Sequence, residues 1–286
     1  MKTLCCGRQQ KVFFILLFIL TMSGCKEDMR TLYEKAMNAY RTEEYEKAAE
    51  LFEAILQKYP THDLSRKARY ELGNIYFYRL KQPQKALKHL QDLYAQSQPG
   101  KFSFEALKLL GYIYENSLND CLKGVDVYRL LIQDYPSEIA PDEYQQAIAD
   151  CYFKLHEYDQ ACSEYETLLE AYPESSYIPR AKFQIANSYA LREQWENAIA
   201  LYEELLLSES LSEQLMIEAK LELAFCYEQQ ERFEDALALY LTLEEAAPHT
   251  ALIDVDVLMR KIERVEESIA ASNKGPSEVD WGRRKN

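Results

Sequence analysis

One set of residues returns six times along this 286-residue chain, its leading small residue spaced 37 or 38 positions apart. The first copy is Ala36, Tyr40, Tyr45, Ala48, Phe52, Ile55 and Pro60, and the second is Gly73, Tyr76, Ala86, Leu90 and Leu93. The third is Gly111, Tyr114, Gly124, Tyr128, Leu131 and Pro136, and the fourth is Ala149, Tyr152, Tyr158, Ala161, Tyr165, Leu168 and Pro173. Ala186, Tyr189, Trp195, Ala198, Tyr202 and Leu205 form the fifth, and Ala224, Tyr227, Phe233, Ala236, Tyr240, Leu243 and Pro248 the sixth. Fixed-period self-similarity of this length marks a supersecondary unit that cannot bury its apolar face alone and must stack on its neighbours. Runs rich in Ala, Leu, Glu, Lys and Gln, with only 8 Gly and 9 Pro against 22 Tyr, make that unit helical. Small residues such as Ala149 and Ala161, or Ala224 and Ala236, let two antiparallel helices approach closely while the aromatics fill the space beside them.

These residues resemble the tetratricopeptide repeat. That family's signature is a small residue, Tyr about three later, an aromatic nine later, Ala twelve later, an aromatic sixteen later and Pro twenty-four later. The resemblance covers residues 29–250, nearly all of the chain that follows the N-terminal segment. It implies an all-α fold: a right-handed α-solenoid of about six helix pairs (29–62, 66–100, 104–138, 142–175, 179–212 and 217–250). Copies two and three carry one extra residue, expected in the turn between their helices, and copy five lacks the terminal proline. Elsewhere Pro60, Pro136, Pro173 and Pro248 end the second helices, since proline lacks the donor that a helix interior requires. Residues 251–272, with Leu258, Ile262, Val265 and Ile269 at helical spacing, are expected to form a C-terminal capping helix. The polar segment 273–286 is expected to stay disordered.

The N-terminus has a different design. Lys2, Arg8 and Lys11 precede the apolar run Val12 to Leu20, too short for a permanent membrane span, and Ser23-Gly24-Cys25 follows. Small residues directly before cysteine resemble the lipobox of bacterial lipoprotein signals. The resemblance implies removal of residues 1–24, lipid on Cys25 and a short tether through residue 28; ordinary signal cleavage or an uncleaved segment are the alternatives. Two or three acyl chains give stable membrane attachment where one does not. Lys26 after Cys25, rather than Asp, favours the outer membrane in the family's sorting rule. Net charge is −14, and loss of three bases with the signal makes the remainder more acidic still. Nucleic acid, which needs clustered positive charge, is an improbable partner.

No catalytic constellation is legible, and no enzymatic activity, metal site or cofactor other than the lipid on Cys25 is expected. His62, His89, His156 and His249 fall in separate copies, and Gly73 and Gly111 read as helix-packing residues, not as parts of a phosphate loop. Cys151 and Cys226 share a repeat position with Ile75 and Ile113, so a small apolar packing role is the simplest reading. Two positions past Ala149, Cys151 lies about 200° around its helix and faces away from Cys162, which disfavours a bond between them. Disulfides among Cys121, Cys151, Cys162 and Cys226 otherwise stay open.

In repeats of this family the first helices line a concave groove. The matching positions here are Arg30, Tyr33, Met37, Tyr40 and Arg41 in the first pair and Lys67, Tyr70, Asn74, Phe77 and Tyr78 in the second. This aromatic, basic end is the candidate site for an extended peptide, because aromatic rings beside Arg are typical binding hot spots. The same rings could simply pack between neighbouring pairs. Later groove positions, among them Lys108, Tyr112, Glu115, Glu143, Asp150, Phe153, Lys154, Arg180, Phe183, Asn187, Glu218, Phe225 and Glu228, shift toward mixed or acidic charge. The family's carboxylate clamp finds its asparagine in Asn74 and Asn187, but Tyr70 and Phe183 stand where its lysine belongs. A lipobox followed at once by such repeats is similar to the BamD group of outer-membrane lipoproteins. That resemblance implies a periplasmic scaffold within the machine that inserts β-barrel proteins. Division or peptidoglycan-enzyme coordination, and a secretin pilot, are the other readings.

Overall fold

A computed structural model of the chain describes residues 28–96, 100–208 and 211–273. The signal segment, Cys25 and residues 274–286 lie outside them. Among the described residues there is no strand, and no helix is long and apolar enough to cross a membrane. Thirteen α-helices follow one another among the described residues: α1 Met29–Arg41, α2 Tyr45–Lys58, α3 Asp63–Asn74, α4 Pro83–Gln96, α5 Lys101–Tyr112, α6 Cys121–Asp134 and α7 Pro141–Lys154. Then come α8 Tyr158–Ala171, α9 Ile178–Leu191, α10 Trp195–Leu206, α11 Glu213–Gln229, α12 Phe233–Ala246 and α13 Val255–Asn273. The fold is the expected all-α arrangement of six helix pairs and a final helix. Two compact units divide the chain after Leu110.

Within each pair the small residues do what their spacing predicts. Ala36 and Ala48 in the first unit, and Ala149, Ala161, Ala186, Ala198, Ala224 and Ala236 in the second, have no exposed surface. Where glycine replaces alanine the partner side chain moves in. A Cβ on Gly73 would lie 2.5 Å from Leu90 Cδ2, and one on Gly111 would overlap the Tyr128 ring. Side-chain caps start several helices: Asp28 accepts from Thr31 N–H at 2.7 Å, and Ser212 accepts from Leu215 N–H at 3.2 Å. Pro60, Pro136 and Pro173 each stand two residues past the end of a second helix, whereas Pro248 sits inside a short 3₁₀ turn, Ala247–His249. Without a proline, α10 ends at Leu206 in tightened turns, Leu207 N–H reaching Glu204 O and Ser208 N–H reaching Leu205 O.

All six first helices end on one device. A non-glycine residue takes a left-handed conformation, Glu43, Lys81, Asn119, His156, Glu193 or Glu231, with φ between 52° and 62°, and the second helix begins two residues later. The N–H after it then bonds a carbonyl five residues back, as Glu44 does to Ala39, Gln194 to Tyr189 and Arg232 to Tyr227, each at 2.9 Å. Copies two and three differ from expectation here. Their extra residue is absorbed inside the first helix, as π-helical turns at Ile75–Arg79 and Ile113–Ser117, and the connecting turn is unchanged. The corresponding bonds, Gln82 N–H to Tyr76 O and Asp120 N–H to Tyr114 O, span six residues. A bulge keeps Ile75, Tyr76, Ile113 and Tyr114 buried in register, and lengthening the turn would displace the second helix.

The final helix starts at Val255, four residues later than expected. Asp254 halts it there: its side chain accepts from Val257 N–H at 3.0 Å and its carbonyl from Leu258 N–H at 2.9 Å, the pattern of a helix cap. Leu258, Ile262 and Val265 close the core of the second unit against α12 residues such as Tyr240 and Leu243.

Candidate peptide-binding groove

The groove positions of the second unit are tied from below. In the last four pairs the aromatic of the second helix is Tyr128, Tyr165, Tyr202 or Tyr240, each buried, with its hydroxyl pointing at the groove face. Tyr128 donates to Glu115 at 2.6 Å, Tyr165 to Asp150 at 2.5 Å, Tyr240 to Glu228 at 2.5 Å, and Tyr202 to Asn187. Burial first, and then the facing carboxylates at Tyr128, Tyr165 and Tyr240, push these phenols well above their ordinary range, so they stay donors. Cations complete the links: Lys154 Nζ reaches Glu115 at 2.6 Å and Arg264 reaches Glu228 at 2.6 Å. Glu115, Asp150, Asn187 and Glu228 are therefore structural ligands of the core tyrosines.

In the first unit the equivalent core positions are Phe52 and Leu90, which have no hydroxyl to offer. No such tether reaches Asn74 or the groove residues of α1. Here a cavity of about 460 Å³ opens, lined by Arg30, Tyr33, Glu34, Met37, Arg41, His62, Leu64 and Lys67. Five of the groove residues expected at this end, Arg30, Tyr33, Met37, Arg41 and Lys67, meet in it. Arg30 and Arg41 are exposed, and Lys67 Nζ stands 5.2 Å above the Tyr33 ring. Tyr33 itself is 8 % exposed, stacked edge-on against Phe52, and its hydroxyl is buried without a hydrogen-bond partner. Burial, with Glu71 nearby, holds that phenol above its ordinary range.

The other expected residues are placed elsewhere. Tyr40 and Tyr45 hold the Arg79 guanidinium at 5.9 and 5.3 Å from their rings, Tyr70 packs on Phe102 at 6.0 Å, and Phe77 meets Tyr78 edge-on at 4.7 Å. Half of Tyr78 is exposed. Asn74 does not line the cavity. Reasoning from first-helix faces alone missed His62 and Leu64, which belong to the start of α3. His62 caps that helix, its Nδ1 accepting from Leu64 N–H at 3.1 Å, and a polar residue directly before Asp63 was the available signal. The cavity offers three cations, one carboxylate and an aromatic floor, a lining suited to hold an anionic or carbonyl-rich chain.

The cysteines have no place in this site. Cys121, Cys151, Cys162 and Cys226 carry free, buried thiols. Burial raises Cys151 and Cys162, and holds Cys226 at about 12. Cys121 lies close enough to Cys151 to add to the effect of burial on that thiol, an approach that spacing within a single copy could not reveal. Among the described residues no group of His, Cys, Asp and Glu could hold a metal ion.

Sequence profiles of the tetratricopeptide repeat match residues 33–102 and 183–251, and a second profile of the same description matches 145–175. Together they cover more than half of the chain. It is a tetratricopeptide repeat protein. With that fold it is a scaffold for protein–protein contacts. Its fold is similar to that of RapI in the apo form, at a TM-score of 0.57 and 14% identity over 86% of this chain and 73% of that one. The C-terminal part of a tetratricopeptide repeat protein from Cytophaga hutchinsonii aligns at 0.53 and 14% identity, over 86% and 96% of the two chains. A tetratricopeptide repeat protein from Parabacteroides merdae aligns at 0.50 and 20% identity, over 87% and 94%. No curated protein matches this repeat protein in sequence.

Proposed function

We propose that this tetratricopeptide repeat protein is a lipid-anchored scaffold on the periplasmic face of the outer membrane, binding an extended acidic segment of a partner through the cavity between α1 and α3. The observation that carries the reading is the contrast between its two grooves. Glu115, Asp150, Asn187 and Glu228 are tethered to core tyrosines in the second unit, while Phe52 and Leu90 leave Arg30, Arg41 and Lys67 without that restraint in the first. The lipobox supports the anchor, and the cap on α1 supports its consequence. Asp28 caps α1 three positions after Cys25, so a lipid there would hold the start of α1, the helix that carries Arg30 and Tyr33, within ~10 Å of the attachment point. The similarity of this layout to the BamD group supports service in β-barrel assembly, and the reading includes no catalytic step.

A photo-crosslinking residue at exposed Arg41 tests the site, a better position than buried Tyr33, where the probe would disturb the core. A subunit of the barrel-insertion machine should be captured, and Lys67→Glu should abolish the product. Capture only from α9 or α11 would refute the cavity as the site. Depletion of the protein should lower β-barrel levels. Normal barrels with a lost secretin or a division defect would refute the assembly role.

A further inference from the structure

The second unit holds an aromatic pocket that the proposed function leaves unused. It measures about 380 Å³ and is walled by Phe153, Leu191, Trp195 and Phe225, with Glu193 and Glu222 among its lining and no base. Leu191 is 55 % exposed and Phe225 37 %, an unusual display of apolar surface beside two carboxylates. Trp195 meets Phe225 edge-on at 6.0 Å, and both residues line the pocket. Glu222 is raised above the ordinary carboxylate range by burial, and Lys261 only partly offsets this, so a further cation nearby would be stabilised. The chemistry called for is an aromatic or large apolar side chain followed closely by positive charge.

Residues 280–285 of this chain read Asp-Trp-Gly-Arg-Arg-Lys. Trp281 is the aromatic anchor, and Arg283, Arg284 and Lys285 are the tightest cluster of bases after residue 28. Reach permits the match. Arg264 of α13 pairs with Glu228 of α11 at 2.6 Å, while Lys261 of α13 acts on Glu222, so the two helices run parallel. Asn273 thus lies ~14 Å beyond the Glu228 level, and Phe225 about one turn, ~5 Å, before it. A return of roughly 19 Å along the axis and about 10 Å across to the neighbouring helix lies within the ~28 Å that eight extended residues span from Asn273 to Trp281.

We infer that the segment 274–286 folds back and seats Trp281 in the pocket of Phe153, Leu191, Trp195 and Phe225, with its arginines against Glu193 and Glu222. Val279 and Trp281 are the only large apolar residues of this segment. The second-unit groove is then self-occupied, and a partner engaging that end must carry the same aromatic-basic chemistry and displace it. The inference stands apart from the cavity at Arg41 and Lys67 and from the identity of any partner.

Trp195 and Trp281 are the only two tryptophans, so the full chain carrying Trp195→Phe, which keeps an aromatic wall, reports on Trp281 alone. Acrylamide quenching of its fluorescence should be several-fold weaker than for a synthetic peptide of residues 274–286. Leu191→Ser, at a site too exposed to threaten the core, should restore quenching to the peptide's level, and high salt should do so in part by screening the arginines. Quenching equal to the free peptide's in the Trp195→Phe chain overturns the inference. So does protection that survives Leu191→Ser, since Trp281 would then be buried elsewhere. Protection that rises with protein concentration means that a second copy fills the pocket, and likewise overturns it.

Discussion

The same substitution, glycine to alanine, should have opposite effects at two positions thirteen residues apart in one helix pair. Gly111 on α5 faces Tyr128 on α6, and an added Cβ would sit 3.0 Å from Tyr128 Cδ1 and closer still to Cε1. The ring cannot withdraw cheaply: it is buried and its hydroxyl is fixed to Glu115 at 2.6 Å. Overpacking of this kind costs about 1–3 kcal/mol, against a gain of about 0.5–1 kcal/mol from the better helix propensity of alanine. Gly111→Ala should therefore be destabilised by roughly 1–2 kcal/mol. Gly124 occupies the position that is Ala48, Ala161 or Ala236 in other copies, and its added Cβ would find nothing nearer than Glu115 Cβ at 3.8 Å. Gly124→Ala should accordingly be stabilised by about 0.5–1 kcal/mol. Urea titration followed by far-ultraviolet circular dichroism gives the two midpoints, and a shared slope shows that the same surface is being exposed. If Gly111→Ala were as stable as the parent, or Gly124→Ala less stable, close packing would not be the reason for glycine in these pairs.

Two further outcomes follow from local geometry. His89 stacks on Tyr76 at 5.6 Å with Glu53 at 3.9 Å, and burial outweighs Glu53 and Asp92 to hold its pKa below 6.5. The unfolded chain then binds the proton more readily, so stability is lost as pH falls below about 6.5, by at most ~1.4 kcal/mol per pH unit, and His89→Phe should flatten the urea midpoint between pH 6.5 and 5. A midpoint that stays level in the parent across that interval counts against the buried neutral imidazole. Glu231 carries the left-handed turn after α11 with φ 56°, so Glu231→Gly should raise the unfolding midpoint by the equivalent of about 1 kcal/mol. Asn119→Gly should do much less, since asparagine tolerates that conformation, and equal gains at both sites would refute the steric explanation.

What could be read in advance was whatever repeats. Small residues and aromatics at fixed spacing identified the pairs, because every copy solves the same packing problem with the same residue types, as Ala149 with Tyr165 and Ala186 with Tyr202 do. Departures within a copy were harder. The extra residue of copies two and three was visible as a shifted spacing, but its location depends on which choice keeps Ile75 and Ile113 buried, a question of tertiary packing. The left-handed residues were invisible because none is glycine; Glu43 and Lys81 accept strain that the surrounding turn imposes. At the site, Arg30, Tyr33, Arg41 and Lys67 were legible from repeat register, whereas His62 and Leu64 come from outside the helix face that register describes.

The substitution of Phe52 and Leu90 for tyrosine ties these observations to function. A tyrosine at that position fills the core and fixes the polar residue above it, so Glu115, Asp150 and Glu228 are already committed. Phenylalanine or leucine fills the core equally well and leaves the face above available. The sequence thus alternates between two uses of one position, tying a polar groove residue to the core in the second unit and leaving the groove residues of the first without that bond. Installing the tyrosine where it is missing separates these roles. Leu90→Tyr would collide with Gly73, since Leu90 already fills the space a Cβ would need there. Phe52→Tyr adds only a hydroxyl, but to a ring that packs edge-on against Tyr33, whose own buried hydroxyl has no partner. Packing around Gly73 and Tyr33 therefore keeps the tyrosine link out of the first unit.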